Sequence, residues 1–178
     1  MAVKRIFRYL RGTEDGGITY NGRIGGGIEF FMDVDWANHA DRKSVSGYMA
    51  TIAGGAVAWS SKKQSTVALS TAEAEYVAAV HVAKQVIWFK NLFHELSYSF
   101  SEPPIILSDN QAAVAICHHP EYHARTKHID IAHHFIRDHV NKKDFSIQYV
   151  PTEYNVADIF TKGLPRATHE KFTKEMGM

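Results

Sequence analysis

Residues 70–96, STAEAEYVAAVHVAKQVIWFKNLFHEL, form the stretch the rest of the chain must accommodate, a single long helix with two acids at its start. Glu73 and Glu75 are two positions apart, roughly 200° on a helical wheel, so they cannot share a face. Glu75 is in line with Phe93, about five turns further on, and within ~20° of Val86. It therefore lies on the apolar edge that the helix buries. Glu73 follows Ser70 by three residues, the spacing at which a capping-box acid reaches back to the helix start. Glu73 thus has a structural role, while a carboxylate at Glu75 needs a partner or a metal.

What flanks this helix defines its task. Residues 28–36, IEFFMDVDW, alternate as a strand, with Phe30, Met32, Val34 and Trp36 on one face and Phe31, Asp33 and Asp35 on the other. SVSGYMATIA and AVAWSS are two more β-rich runs, joined at Gly54-Gly55, a two-residue hairpin signal. Beyond the helix, PPIILS at 103–108 fits a central strand covered on both faces and reached by a helical crossover. That strand ends in Asp109. Then come helix NQAAVAICHH, a second helix over roughly 126–141, the strand FSIQYV at 145–150, and a last helix in NVADIFTK that carries Asp158. This order predicts an α/β fold with a mixed five-stranded sheet, an antiparallel meander plus two parallel strands, flanked by helices.

Ahead of the meander, Val3, Ile6, Phe7 and Leu10 recur at helical spacing among Lys4, Arg5, Arg8 and Arg11. Seven of the twelve glycines fall between 12 and 27. Residues 1–27 therefore read as a helix and a Gly-rich tether, with ITY as a short strand within it, and 28–178 as the folded domain. The net charge of +1 leaves only local patches to attract an acidic partner. A single cysteine, Cys117, excludes a disulfide framework and any multi-cysteine zinc site. No apolar run approaches ~18 residues and no signal peptide opens the chain, so an intracellular protein that does not engage a membrane is expected.

In a sheet of this kind four carboxylates can reach one place: Asp33 from the first strand, Glu75 from the crossover helix, Asp109 after the fourth strand and Asp158 from the last helix. Crowded acids repel unless a cation neutralises them. With oxygen ligands alone that cation would be Mg²⁺ or Mn²⁺, and two such ions support in-line displacement at a phosphodiester. Each acid also has an ordinary role open to it. Asp109 could cap the helix that follows, Asp158 could favour the dipole of a helix capped by Asn155, and Asp35 could replace Asp33 as the ligand.

The motifs MDVDWA, RKSVSGY, STAEAEY, SDNQAAV, RTKHIDIAHHFIRD and NVADIFTKGLP, in this order, resemble the ribonuclease H domain of copia-type LTR-retrotransposon polyproteins. RIFRYLRGT at the start is similar to the junction with the reverse transcriptase. The resemblance implies the ribonuclease H-like fold and endonucleolytic cleavage of the RNA strand of RNA–DNA hybrids with two Mg²⁺ or Mn²⁺ ions. It places the catalytic, metal-binding set on Asp33, Glu75, Asp109 and Asp158, with Asp35 and Glu73 as alternative or supporting acids. It also implies a reverse transcriptase domain of the same polyprotein as partner, a cytoplasmic virus-like particle as location, and an isolated domain that is monomeric. One departure is plain: the loop PTEYNV lacks the histidine that many cellular ribonucleases H carry there.

Discriminating RNA from DNA calls for contacts to 2′-hydroxyls. Asn110 and Gln111 beside Asp109, and Ser44, Ser46, Ser70 and Thr71 near the sheet–helix edge, are the candidates, with capping or turn chemistry as their ordinary use. Seven histidines lie between 118 and 139. His119 and His123 have zinc-compatible spacing but no completing ligands, whereas Arg125 and Lys127, near a helix N-terminus, suit phosphate. Two rival readings are a domesticated or catalytically weak nucleic-acid-binding domain and a transposase or integrase on the same fold. Hybrid cleavage separates both from the nuclease.

Overall fold

The computed structural model describes residues 2–22, 27–38, 40–118 and 127–178, with the side chains of 127–133 outside that description. Strands β1 (Glu29–Asp35), β2 (Val45–Ile52), β3 (Gly55–Lys63), β4 (Ile105–Ser108) and β5 (Ser146–Tyr149) form one sheet in the order β3-β2-β1-β4-β5. β1 runs antiparallel to β2, and β2 to β3. β4 is parallel to both β1 and β5. The helices are α1 (Ala2–Gly12), α2 (Thr71–Glu95), α3 (Gln111–His118), α4 (Lys127–Asn141) and α5 (Arg166–Glu175). Among the described residues no helix is long and apolar enough to cross a membrane.

The alternation in β1 separates two cores. Phe30, Met32 and Val34 pack with Ile106 of β4 under Ala78, Val82, Val86 and Phe89 of α2. Fully burying a side chain such as Val86 contributes about 1.5–3 kcal/mol, and several of them together offset the cost of the acid on the same helix. On the other face Met49, Ala56, Val156, Phe172 and Met176 cluster, with Phe31 and Phe160 against them. α2 starts as expected. Ser70 is its extended N-cap and accepts from the Glu73 backbone at 3.1 Å. Glu73 reaches back to the Leu69 N–H at 2.7 Å, one residue before the cap.

Several expectations are corrected. The hairpin turn is Ala53-Gly54, with φ of 53° and 77°, because a two-residue turn of this twist needs both central residues left-handed. Gly55 begins β3 instead, and a Cβ there would lie 2.8 Å from the Tyr20 ring. β4 is covered on one face only, as Ile105 and Leu107 stay half-exposed along an open groove beside Phe31. Trp36 lies beyond β1 and is exposed rather than buried with Val34. ITY forms no strand. Instead Thr19 donates to Gly177, Tyr20 to Ala56 and Asn21 to Ala53, at 2.8–2.9 Å, which ties that stretch to the domain. NVADIFTK is a short 3-10 helix, Val156–Phe160, rather than an α-helix, and α5 follows it.

Candidate active site

Register brings two of the acids side by side. Met32 pairs with Ser108 across the parallel β1–β4 ladder, so the next residues, Asp33 within β1 and Asp109 just past the end of β4, emerge at the same level. α2 delivers Glu75 from its second turn. Ligand oxygens of Asp33, Glu75 and Asp109 all lie within 4.8 Å of one another, a grouping able to hold a metal ion. Asp33 is 2% exposed and Glu75 6%, and the Glu75 Oε2 has no hydrogen-bond partner. A buried, unsatisfied carboxylate oxygen beside two other acids is a site shaped for a hard cation.

Three sets of bonds hold these acids in place. The Gln64 amide donates to Ser46 Oγ at 2.9 Å and to the Ala74 carbonyl at 2.8 Å, fastening the first turn of α2 to β2. The Trp36 indole donates to Ala68 at 3.3 Å, tying the end of β1 to the loop before α2. From the other face, the fully buried Asn155 donates to the Met32 carbonyl at 2.9 Å, and its side-chain oxygen caps the 3-10 helix at Ala157. This sets Asp158, 6% exposed, beneath Asp33. Gly47 pairs with Asp33, and a Cβ on it would come 2.6 Å from Thr161 Cγ2, so only glycine lets the Asp158–Lys162 segment approach.

Electrostatics follow from the crowding. Burial, then the charges of Asp33 and Asp109, push the Glu75 carboxyl up to about 8, against smaller downward effects of Lys162 and of a hydrogen bond from Asn110. Burial and then Asp33 raise Asp158 as well. Lys162 sits between two acids, its Nζ 3.1 Å from Asp33 Oδ1 and 3.1 Å from Asp158 Oδ1. Burial alone would lower its pKa, but Asp33 and Asp158 raise it overall. Thr161 donates to the other oxygen of Asp33, and Thr152 donates to Asp109 Oδ2 at 2.8 Å from the loop that lacks a histidine.

The remaining expected residues divide. Asp158 is not in the three-acid grouping and is linked to it through Lys162. Asp35, half-exposed at the end of β1, is outside that grouping too. Asp109 is not the cap of α3: Asn110 is, accepting from Ala113 at 3.0 Å, which leaves Asp109 free for chemistry. Ser44 is wholly buried and accepts from Ala37, and Ser46 is buried against Gln64, so neither hydroxyl is open to nucleic acid. Ser70 is spent on the cap, while Thr71 and Gln111 are exposed beside Glu75 and Asp109. Arg125 lies outside the described residues, as do the side chain of Lys127 and the His119/His123 pair. His118 bonds the Ile147 carbonyl at 3.0 Å and His139 pairs with Asp144 at 2.7 Å, both structural uses. Lys162, Thr161, Thr152 and Gln64 were not singled out from the sequence. Of these only Lys162 carried a local signal, its four-residue spacing from Asp158.

The architecture is that of ribonuclease H. The chain superposes on LC11-RNase H1, isolated from compost, with a TM-score of 0.58 and 16% identity over 76% of this chain and 93% of that one. The same protein in complex with RNA/DNA hybrid gives 0.56 and 14%, over 75% and 93%. At that identity the likeness concerns the fold. No family model matches the chain. Its relatives in sequence include copia-type Pol polyproteins of plants. It is 41% identical to the retrovirus-related Pol polyprotein from transposon TNT 1-94 of Nicotiana tabacum, over 99% of this chain and 13% of that protein. It is 36% identical to that from transposon RE2 of Arabidopsis thaliana, over 99% and 12%. The chain thus spans about an eighth of the length of the curated relatives it matches.

Proposed function

We propose that this chain is a divalent-metal-dependent endonuclease that hydrolyses the RNA strand of RNA–DNA hybrids during retrotransposon reverse transcription. The observation that carries this is Glu75: buried, unsatisfied at Oε2, and within 4.8 Å of Asp33 and Asp109. A buried structural carboxylate would have donors on both oxygens, and Oε2 has none. Asp33, Glu75 and Asp109 would hold Mg²⁺ or Mn²⁺, and Asp158 would complete a site for a second ion. Bound there, the metal supplies an activated water and charge stabilisation at the leaving oxygen. The chain's own groups orient and exclude. Thr152 fixes the Asp109 carboxylate, Asn155 and Gly47 fix Asp158 against β1, and the exposed Thr71 and Gln111 would meet sugar hydroxyls. The hybrid-bound compost enzyme of like fold supports the substrate class, and a foamy viral protease-reverse transcriptase that shares the fold at 14% identity supports a reverse transcriptase segment as partner.

The test is cleavage of a labelled hybrid in Mg²⁺, in Mn²⁺ and in chelator. Glu75→Gln and Asp109→Asn should each lower the rate by at least about 10²–10³-fold. Wild-type activity in an Asp33→Asn/Asp109→Asn double variant would refute the assignment.

A further inference from the structure

Lys162 stands where a second cation would have to stand. Its side chain is 37% exposed, whereas those of Asp33 and Asp158 are 2% and 9% exposed, so a long stem enters from solvent and sets its charge between two buried carboxylates. Those carboxylates come from elements far apart in sequence, β1 and the 3-10 helix, with Lys162 in the turn after that helix. The other Asp33 oxygen is occupied by Thr161. Asp158 lies outside the Asp33–Glu75–Asp109 grouping and meets it through this ammonium. A divalent ion bridging Asp33 and Asp158 needs oxygens at about 2.0–2.2 Å, which leaves no room for a nitrogen between the same atoms. Lysine, a point charge on a flexible stem, can leave such a position where a bidentate arginine would be held.

We propose that Lys162 is an exchangeable internal counter-ion. It neutralises the Asp33–Asp158 pair while one divalent ion is held by Asp33, Glu75 and Asp109, and it gives up that place when a second ion enters. The exchange rests on the metal reading of the same site, whereas the counter-ion role does not. The phosphate of a bound strand offers the displaced ammonium a new partner, so occupancy by the second ion is coupled to substrate.

Mn²⁺ titration of the whole chain without nucleic acid tests the exchange by stoichiometry rather than by activity. Below saturation wild type and Lys162→Arg should take up one ion, the second entering wild type only at saturating metal, and Lys162→Met should take up two, or bind the second at least tenfold more tightly. In chelator at neutral pH, Lys162→Met should unfold at a lower temperature than wild type, and Asp33→Asn/Lys162→Met should recover. On wild type alone, acylation of Lys162 followed by mass spectrometry should rise severalfold between chelator and saturating Mg²⁺, a readout independent of whether the variant folds. Unchanged stoichiometry in Lys162→Met, or unchanged Lys162 reactivity, overturns the exchange and leaves the metal centre standing. No Mn²⁺ uptake by any of the proteins overturns the metal centre and the exchange with it. Equal unfolding temperatures in chelator overturn the counter-ion role.

Discussion

At the scale of the residue, Glu75 ties stability to pH. Its folded carboxyl is raised from the usual 4.5 to about 8, first by burial and then by Asp33 and Asp109. Between those values the metal-free folded protein holds a proton that the unfolded chain has released, so stability falls as pH rises through that window. Below it both states are protonated and Glu75 contributes no pH dependence. Thermal unfolding in chelator should therefore show a midpoint that drops steadily from pH 5 to pH 8. Glu75→Gln should reduce that slope without removing it, because Asp158 is raised too and acts in the same direction. Saturating Mg²⁺ should flatten it further by giving the ionised carboxylates a partner. A wild-type midpoint level across the range would mean that Glu75 is not protonated in the folded metal-free protein.

Among elements, the closeness of the 3-10 segment to β2 decides whether Asp158 faces Asp33. Gly47 makes that approach possible, since a Cβ there would meet Thr161 Cγ2 at 2.6 Å, Phe160 Cβ at 2.9 Å and the Ala157 carbonyl at 3.2 Å. Gly47→Ala should cost about 1–3 kcal/mol, the range for overpacking a close contact. It should lower hybrid cleavage further than the lost stability accounts for, because the whole Asp158–Lys162 segment is pushed outward. Gly163→Ala, in the same loop but with open space around its Cβ, is the control that should change little. Equal, small effects of both substitutions on unfolding and on cleavage would show that the segment has slack. The same contact explains what the sequence could and could not reveal. Glu75 and Asp33 were legible because an acid on an apolar edge breaks a local periodicity. Lys162 carried only its four-residue spacing from Asp158, because its other partner, Asp33, is 129 residues away and nothing local marks that second pairing. Ser44 and Ser46 looked like surface hydroxyls because the Gln64 that draws Ser46 inward is 18 residues further along the chain.

For the molecule as a whole, the mixed sheet and the crossover were readable from the periods and order of single elements, whereas the strand order and the role of the N-terminal arm depended on contacts between distant parts. α1 buries no residue: Val3, Phe7 and Leu10 are 63%, 67% and 55% exposed. Residues 19–21 behave differently. They make backbone bonds to Gly177 and Ala53 and a side-chain bond from Tyr20 to Ala56, and the Tyr20 ring and Ile18 lie against Gly55. Two truncations separate these parts. Removing residues 1–12 should leave the unfolding free energy within about 0.5 kcal/mol of the full chain, as expected where no buried contact is lost. It should also reduce self-association, because an exposed apolar stripe is removed. Removing residues 1–22 deletes at least three hydrogen bonds, each worth about 0.5–1.5 kcal/mol, and uncovers the Gly55–Gly177 seam, so it should destabilise the domain by several times more than the shorter cut. Denaturant unfolding of the three chains, alongside size-exclusion chromatography, measures both effects. If the shorter cut costs as much as the longer one, α1 is packed on the domain, and the boundary of the stable unit lies before residue 13 rather than between α1 and Ile18.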